Sequence, residues 1–246
     1  MSEIRIRIHG VTFAYEPSAP VIRDVNLDLG GGLVLLVGPN GCGKSTLLKL
    51  MAGVERPDAG AIEIGGFDLW SDELEARRLL AYVPEQPDVS PYASVLEVLE
   101  LVANLRGQAP ERIVEVQALF GLETLGRRSI RELSKGQRRR VLLAAARLGA
   151  PPVLLLDEPL DALDRRLRED TLGWLDERRN AGAPIVVVTH ELELLSPLAD
   201  AAIYLVNGHA AMVEELAESA SDRMRVLESL ARGEPDRVGL GKQDSR

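Results

Sequence analysis

The chain has 246 residues, of which 46% are hydrophobic and 27% charged, a composition typical of one or two packed globular domains. Its net charge of -9 disfavours a broad electrostatic attraction to nucleic acid, so we expect no nucleic-acid partner. The single cysteine, Cys42, excludes an internal disulfide framework and fits a reducing compartment. No export signal is visible, and the apolar runs are far shorter than the roughly 20 residues that span a bilayer.

The first third of the chain predicts mostly strands. Alternating polar and apolar residues indicate strands at 4–10 and 11–15, followed by a loop through Pro17 and Pro20. Later elements in this part are strands at 25–29 and 30–38, a helix at 44–51 that Gly53 can end, a hairpin or short strand at 57–66, and a helix leading into a strand at 72–82.

The rest of the chain alternates helices with apolar strands. Two helical patterns within residues 94–131 predict a small all-helical insertion. Next come a helix at 134–148, buried strands at 151–159 and 183–190 around a helix at 161–180, and a closing strand or hairpin at 201–213. Strands alternating with helices imply a parallel sheet. The polar tail from residue 214 is expected to contain a helix before a disordered end, "GEPDRVGLGKQDSR".

A glycine-rich loop separates the strand at 30–38 from the following helix. Its sequence "GPNGCGKST" matches G-x-x-x-x-G-K-[ST] and comprises Gly38, Pro39, Asn40, Gly41, Cys42, Gly43, Lys44, Ser45 and Thr46. Glycines let the backbone N–H groups turn inward around phosphate oxygens, and the helix dipole adds positive potential. We expect Lys44 to reach the outer phosphates and Ser45 to offer its hydroxyl to Mg²⁺. The structural alternative is a turn that only caps the helix.

Two acidic residues follow the apolar run "VLLL". Asp157 and Glu158 stand at the carboxyl end of a predicted buried strand, where open α/β sheets bind their ligands. Asp157 suits the Mg²⁺ shell, directly or through water. Neighbouring strand residues point in different directions, so Glu158 is available to orient an attacking water. Alternatively, both acids serve as an N-cap and dipole partner for the next helix.

The segment "RELSKGQRRR", residues 131–140, is a second helix start. Ser134 and Gln137 fit the capping box S-x-x-Q, which explains them by local structure alone. The same N–H groups are able to receive a phosphate, and Gly136 lacks a side chain that would keep a ligand away. The three arginines at 138–140 are interpreted as a solvated helix face, with pairing to acids of a partner subunit as an alternative.

Taken together and in chain order, the motifs of this sequence resemble those of the nucleotide-binding subunit of an ATP-binding cassette (ABC) transporter. The resemblance covers about residues 4–210 and rests on Tyr15 in "FAYEPSAPVIRDV", the loop at 38–46, Gln86 in "VPEQP", "LSKGQ", "VLLLDEP", "LDALD" and His190 in "VVVTH". It implies an α/β P-loop NTPase (RecA-like) fold: a mainly parallel sheet core, an N-terminal antiparallel β subdomain and an α-helical subdomain at about 87–133. The ATPase domain is then expected at 1–213, with a polar tail at 214–246.

The resemblance also implies residue roles and the cofactors ATP and Mg²⁺. Tyr15 would stack on adenine, Gln86 would lie between Mg²⁺ and a membrane partner, and His190 would contact the γ-phosphate. Considered singly, these three are equally a half-buried strand aromatic, a solvated loop residue and a strand-end hydrogen-bonding residue. The implied catalytic set is Lys44, Gln86, Glu158 and His190, and the implied metal set is Ser45, Gln86 and Asp157.

A second nucleotide-binding subunit is implied as well. Two copies arranged head to tail, as a homodimer, would each supply Ser134, Gly136 and Gln137 to the ATP on the other copy's P-loop. Lys135 departs from the family, which most often has glycine there in L-S-G-G-Q. That lysine and the short carboxyl end favour an export-type system.

The leading functional hypothesis is an ATPase subunit that powers a separate transmembrane permease from the cytoplasmic face of the cell membrane. The alternative is a soluble ABC ATPase of a non-transport assembly, such as iron–sulfur cluster building. A P-loop kinase would explain neither "LSKGQ" nor "LDALD".

Overall fold

The computed structural model describes residues 4–86, 89–214 and 216–234, and within them the strands form two sheets. The first sheet is antiparallel, with the strand order β2-β1-β4-β5. Its strands are β1 (Ile6–Glu16), β2 (Ala19–Leu29), β4 (Ala59–Ile64) and β5 (Phe67–Asp68).

The second sheet has the strand order β10-β9-β3-β8-β7-β6. Five of its strands run parallel, and β10 pairs antiparallel with β9 at one edge. The strands are β3 (Gly32–Val37), β6 (Leu80–Val83), β7 (Val153–Asp157), β8 (Pro184–Val188), β9 (Ala201–Val206) and β10 (His209–Val213). Because β3, β7 and β8 are adjacent, the loops at their carboxyl ends meet at one edge.

Helices cover the parallel sheet. They are α1 (Lys44–Met51), α2 (Glu73–Leu79), α3 (Val95–Leu105), α4 (Pro110–Phe120), α5 (Lys135–Leu148), α6 (Arg165–Asn180), α7 (Leu192–Leu195) and α8 (Ala220–Arg232). The strand residues alternate between two apolar cores. In β3, Leu33 and Leu35 face the core that contains α3 to α6, whereas Val34 and Leu36 face the core shared with α1 and the antiparallel sheet.

This architecture confirms the expected fold class, but several element boundaries differ. Residues 4–10 and 11–15 are not two strands, because β1 continues to Glu16 with irregular register around Val11. Pro20 lies inside β2, not in a loop, which an edge strand tolerates since the missing N–H is not needed on its outer side.

The predicted helix at 161–180 begins later than expected. Helix α6 starts at Arg165, after the Asp164 carboxylate accepts a hydrogen bond of 3.1 Å from the Leu167 N–H. Residues 158–164 instead form a tight connection, in which Glu158 and Ala162 have φ of +51° and +57°. The sequence placed the helix start at Asp161, the first acid of "LDALD", whereas the capping residue is Asp164, three residues later.

The helix α8 confirms the helix expected after residue 214, and it is part of the core. Leu227 and Leu230 are fully buried against the sheet, and the Arg223 guanidinium donates to the Ser196 carbonyl at 3.1 Å. Gly233 and Glu234, the first residues of the end expected to be disordered, cap this helix. The rest of that predicted end, 235–246, lies outside the described residues. No helix in the described part of the chain is both long and apolar enough for a membrane span.

Candidate active site

The loop between β3 and α1 contains two glycines, Gly38 and Gly43, at positions where a side chain would collide with neighbouring atoms. Gly38 has φ of +154°, and a Cβ there would collide with the Leu205 carbonyl oxygen and lie 2.9 Å from the Cys42 Sγ. Gly43 has φ of +107°, and its Cβ would lie 2.8 Å from a Val21 methyl group. The loop therefore combines backbone conformations that favour glycine with close contacts to neighbouring strands.

The side chains of this loop point back over it. The Lys44 ammonium donates to the carbonyl oxygens of Gly38 and Pro39 at 2.8 and 3.0 Å, which keeps its charge over the loop. Burial raises the pKa of the Cys42 thiol, against the opposing effects of the Lys44 charge and of backbone N–H groups.

A cleft of about 470 Å³ opens beside the loop and brings most of the predicted site residues together. Besides Asn40, Gly41, Gly43 and Thr46 of the loop, its walls include Tyr15, Lys44, Ser45, Asp157, Glu158 and His190. Three further residues, Val21, Glu85 and Val188, line the cleft without any signal in the sequence. Val21 lies in β2, Val188 ends β8 and Glu85 follows β6, so strands of both sheets bring them to the cleft.

Asp157 is the buried carboxylate of the cleft, with 3% of its surface exposed. Burial raises its pKa, while a hydrogen bond with Ser45 and the charges of Arg139 and Lys44 act in the opposite direction. The hydroxyl and the carboxylate thus form an adjacent pair of oxygen ligands facing the P-loop, the donor type that Mg²⁺ prefers. Among the described residues, no group of three or more His, Cys, Asp or Glu side chains surrounds a common metal position.

Glu158 is held by the neighbouring strand. Its N–H donates to the Val188 carbonyl at 2.9 Å, which fixes the left-handed turn at φ of +51°. The His190 N–H donates to one carboxylate oxygen of Glu158 at 3.2 Å, and the His190 Nε2 lies 3.5 Å from the other, Oε1. Burial raises the pKa of Glu158, and the His190 N–H bond and charge oppose it. Its Oε1 accepts no hydrogen bond from the described residues.

Tyr15 is an exposed aromatic beside the loop. Its side chain is 55% exposed, packs edge-to-face on Phe13 with ring centroids 4.9 Å apart, and places its hydroxyl 3.4 Å from the Thr46 Oγ1. An exposed ring fixed by its neighbours is available for stacking on a planar group.

Gln86 does not line this cleft, although its neighbour Glu85 does. Gln86 faces an adjoining cleft of about 480 Å³ whose other walls include Lys135, Arg138 and Leu142. Glu85 lines both clefts, so the segment after β6 forms the wall between them, and Gln86 lies on the side away from the P-loop.

The start of α5 also lies outside the cleft of its own P-loop. Its capping box is formed: the Gln137 N–H donates to the Ser134 hydroxyl at 3.2 Å, and the Ser134 N–H donates to the Gln137 side chain at 3.0 Å. A Cβ at Gly136 would collide with the Ala162 carbonyl oxygen. Gly136 therefore lets the chain's own 158–164 connection approach the helix, a reason that the sequence did not reveal.

Lys135 has a partner in the same chain. Its ammonium forms an ion pair of 2.6 Å with the Asp161 carboxylate, which raises the pKa of Lys135. The same hydrogen bond lowers the pKa of Asp161, which burial alone would raise. The ion pair joins the α5 start to the 158–164 connection at the surface.

The prediction of a solvated face at Arg138 to Arg140 is wrong. Arg139 is buried, with 3% of its surface exposed, and donates to backbone carbonyls. Arg138 donates to the Leu133 carbonyl at 3.0 Å, and Arg140 pairs with Asp164 at 2.8 Å. A run of charges cannot be divided into solvent-facing and inward-facing members without knowing what covers the helix.

The family comparison adds an independent observation. The sequence model described as "ABC transporter" matches residues 22–161, which include the P-loop, the α5 start and Asp157 with Glu158. The chain belongs to the ABC transporter family. The motif-based family assignment and fold class are thereby confirmed.

Similar proteins give the same family. The sulfate/thiosulfate import ATP-binding protein CysA of Synechocystis is 37% identical over 193 residues, 76% of this chain and 54% of that protein. A solved ATP-binding subunit of an ABC transporter superposes with a TM-score of 0.80 at 27% identity, covering 92% of this chain and 99% of the other. A dimeric ATP-binding cassette bound to ADP and Pi gives 0.74 at 28% identity, covering 85% and 97%.

The lengths and names of the relatives matter for function. This ABC chain spans about half the length of the curated relatives it matches. Those relatives are named as import proteins, so they give no support to the export-type expectation drawn from Lys135.

Proposed function

We propose that this chain binds and hydrolyses ATP and powers a separate transmembrane permease. The observation that carries the proposal is the convergence, in one cleft, of the glycine-rich loop with Lys44, Asp157, Glu158 and His190. Backbone N–H groups of the loop and the α1 dipole would hold the phosphates, with the Lys44 ammonium on the outer ones. The exposed Tyr15 ring would stack on adenine.

Glu158 is proposed to orient the water that attacks the γ-phosphorus. The raised pKa of this carboxyl brings it nearer neutral pH, where proton transfer is efficient, and its Oε1 accepts no hydrogen bond from the described residues. The bond from the γ-phosphorus to the bridging oxygen breaks, leaving ADP and phosphate. His190, held on Glu158 by its backbone N–H, would contact the γ-phosphate.

Ser45 and Asp157 are proposed to hold Mg²⁺, directly or through water. When bound, the ion would neutralise negative charge on the phosphate oxygens. Gln86 remains a proposed ligand and catalytic residue, but it faces the adjoining cleft, so it would have to turn toward the phosphates to fulfil either role.

A second copy is proposed to complete the site. Ser134, Gly136 and Gln137 lie at a helix start away from the chain's own cleft, where they would be presented to the ATP of a partner. The dimeric cassette bound to ADP and Pi has the same fold, which supports a dimer, and the head-to-tail arrangement remains part of the proposal. Backbone N–H groups at such a helix start would bind the γ-phosphate, so hydrolysis would release the partner.

The permease and the location at the inner face of the cell membrane are inferred from the names of the relatives, which are import ATP-binding proteins. Import is accordingly the direction that we propose. An iron–sulfur or other soluble assembly would instead predict a soluble partner, and co-purification from detergent-solubilised membranes against the soluble fraction decides between the two.

The proposed chemistry is tested by Glu158→Gln. The amide keeps the size of the side chain but cannot take a proton, so we expect ATP binding to be retained and turnover to fall by roughly 10²–10⁴-fold. The measurements are phosphate release and the amount of ATP-bound dimer on gel filtration, which should increase. Glu169→Gln, on the exposed side of α6, is the control and should hydrolyse normally. Wild-type turnover in Glu158→Gln would refute the assigned role.

A further inference from the structure

Arg139 is a buried cation that joins three parts of the molecule: its own helix α5, the segment after β6 and the end of β7. It belongs to the second turn of α5, yet its guanidinium donates at 2.8 Å to the Pro84 carbonyl and at 3.1 Å to the Asp157 carbonyl through one nitrogen. Its other terminal nitrogen donates at 2.8 Å to the Glu85 carbonyl. The sequence had assigned this residue to solvent.

The three carbonyls lie after two neighbouring strands. Pro84 and Glu85 follow β6, and Asp157 ends β7, with which β6 pairs in parallel. One rigid, planar guanidinium therefore spans the carboxyl ends of both strands and joins them to α5. The side chains of Glu85 and Asp157 both line the nucleotide cleft, so the bridge fixes two of its walls.

The charge of Arg139 is compensated by its surroundings. Burial lowers its pKa, while the carboxylates of Asp161, Asp157, Glu158 and Glu85 act to raise it. A cation is expensive to bury unless hydrogen bonds and opposite charges replace its water shell, and here both are present. An apolar side chain in the same space would leave these three carbonyls without their donor, so the guanidinium supplies hydrogen bonds that packing alone does not.

We propose that Arg139 is a positioning residue for the ATP site: it sets the 84–86 segment and the start of α5 relative to the end of β7. The consequence for turnover rests on the proposed ATP hydrolysis. Through this bridge, Glu85 and Gln86, Asp157 and the helix start at Ser134 take up their positions together. Neither neighbour reaches the strand ends, since Arg138 bonds to the Leu133 carbonyl beside its own helix and Arg140 pairs with Asp164, the residue that caps α6.

The test compares Arg139→Gln, Arg139→Met and Arg139→Lys with a matched control, Arg178→Gln. Arg178 also donates a guanidinium hydrogen bond of 2.8 Å to a backbone carbonyl next to β7, that of Pro151, but at the opposite end of the strand. Two quantities are measured: turnover per bound nucleotide, with a non-hydrolysable ATP analogue counting the competent sites, and hydrogen–deuterium exchange of the peptide that contains residues 84–86.

For Arg139→Gln and Arg139→Met we expect nucleotide binding to persist, since the P-loop is untouched, and turnover per bound nucleotide to fall at least about tenfold. Exchange at 84–86 should become faster. Arg139→Lys should show the same two changes to a smaller but measurable extent, because an ammonium reaches only one or two of the three carbonyls and cannot span both strand ends. Arg178→Gln should show wild-type turnover per site and unchanged exchange at 84–86.

A purely structural role predicts another pattern. The number of competent sites would fall while turnover per site stayed at the wild-type value, and that result would overturn the proposal, as would unchanged exchange at 84–86. If the Gln and Met variants do not fold, Arg139→Lys decides alone: wild-type turnover and exchange in it would contradict the proposal. A wild-type chain without ATP hydrolysis would refute the proposed function instead, and the exchange data would still decide where Arg139 acts.

Discussion

At the scale of single residues, the nucleotide cleft contains acidic groups whose burial opposes their ionisation. Asp157 has a raised pKa because it is buried, although Ser45 and two nearby cations favour the charged form. A carboxylate that is costly to keep ionised in the chain alone gains a favourable partner when a cation binds. We therefore expect stability and ligand binding to conflict at this position.

Asp157→Asn should raise the thermal midpoint of the nucleotide-free chain at pH 7 and abolish Mg²⁺-dependent nucleotide binding. The folded-state pKa lies above the ordinary 3.8, so the folded chain binds more protons than the unfolded one. The resulting cost is absent below pH 3.8, grows as the pH rises toward the raised pKa, and is complete above that pKa. A gain of 1 kcal/mol corresponds to about 2–4 °C. Calorimetry over a series from pH 7 down to pH 4 checks that the gain shrinks as the pH falls toward the ordinary pKa of 3.8.

Asp200→Asn is the control, because its expected change in the thermal midpoint has the opposite sign. Burial alone would raise the pKa of Asp200, but hydrogen bonds from the Arg179 guanidinium and the Leu33 N–H lower it. Its contribution to stability is present above the ordinary value of 3.8 and is lost as the pH falls through the lowered pKa. Its amide variant should melt at a lower temperature at pH 7. A higher midpoint for Asp200→Asn, or a lower one for Asp157→Asn, would contradict this account.

At the scale of elements, two helices start with the same capping box in different settings. Ser94 caps α3, where it accepts from the Glu97 N–H at 3.2 Å, and Ser134 caps α5 in the same way with Gln137. Local structure explains both starts equally well, so only their surroundings separate an ordinary cap from a ligand site. The start of α5 lies against the 158–164 connection through Gly136 and the Lys135 ion pair.

Ser134→Ala and Ser94→Ala should lower stability alike, by about 1 kcal/mol each, because each loses one cap. Only Ser134→Ala should also reduce ATP hydrolysis and the amount of ATP-bound dimer, since the Ser134 hydroxyl is proposed to face the partner's nucleotide. Urea unfolding and phosphate release measure the two effects. Equal hydrolysis by both variants, after correction for the folded fraction, would reject the trans role of α5.

At the scale of the whole molecule, the described part of the carboxyl-terminal segment packs into the core beside the parallel sheet. Leu227 and Leu230 of α8 are fully buried in the cluster that contains β3 and β9 residues, and Arg223 bonds to the Ser196 carbonyl. The end of α8 also reaches the nucleotide loop, since a Cβ at Gly233 would lie 2.9 Å from the Pro39 ring. The division at residue 213 stays a prediction, and α8 provides its test.

Leu230→Ala should destabilise the whole chain by about 2–5 kcal/mol, because it leaves a cavity in the shared core. The matched control on the same helix is Arg225→Ala, whose side chain is 77% exposed and which should change stability by less than about 0.5 kcal/mol. Urea unfolding followed by tryptophan fluorescence reports on Trp174 of the same core. An unchanged midpoint in Leu230→Ala would mean that residues after 213 form a separable tail.

The sequence by itself determined the fold class and most of the elements near the site. Helix α1 begins and ends at the predicted residues, and β7 and β8 were recognised from unbroken apolar runs. These features are local: a glycine pattern, a capping residue or a run of apolar side chains acts within a few residues. The same locality explains why the sequence alone identified Lys44 and Ser45 from the glycine pattern, and Asp157 and Glu158 from the end of an apolar run.

Only the tertiary structure decided which side chains meet across the chain. It brought Glu85 and Val21 to the cleft, turned Gln86 into the adjoining one, and buried Arg139 although its neighbours are equally basic. It also paired Lys135 with Asp161, which lies 26 positions later in the chain. These outcomes depend on contacts between segments distant in sequence, and a charge or a glycine carries no mark of the segment that will pack against it.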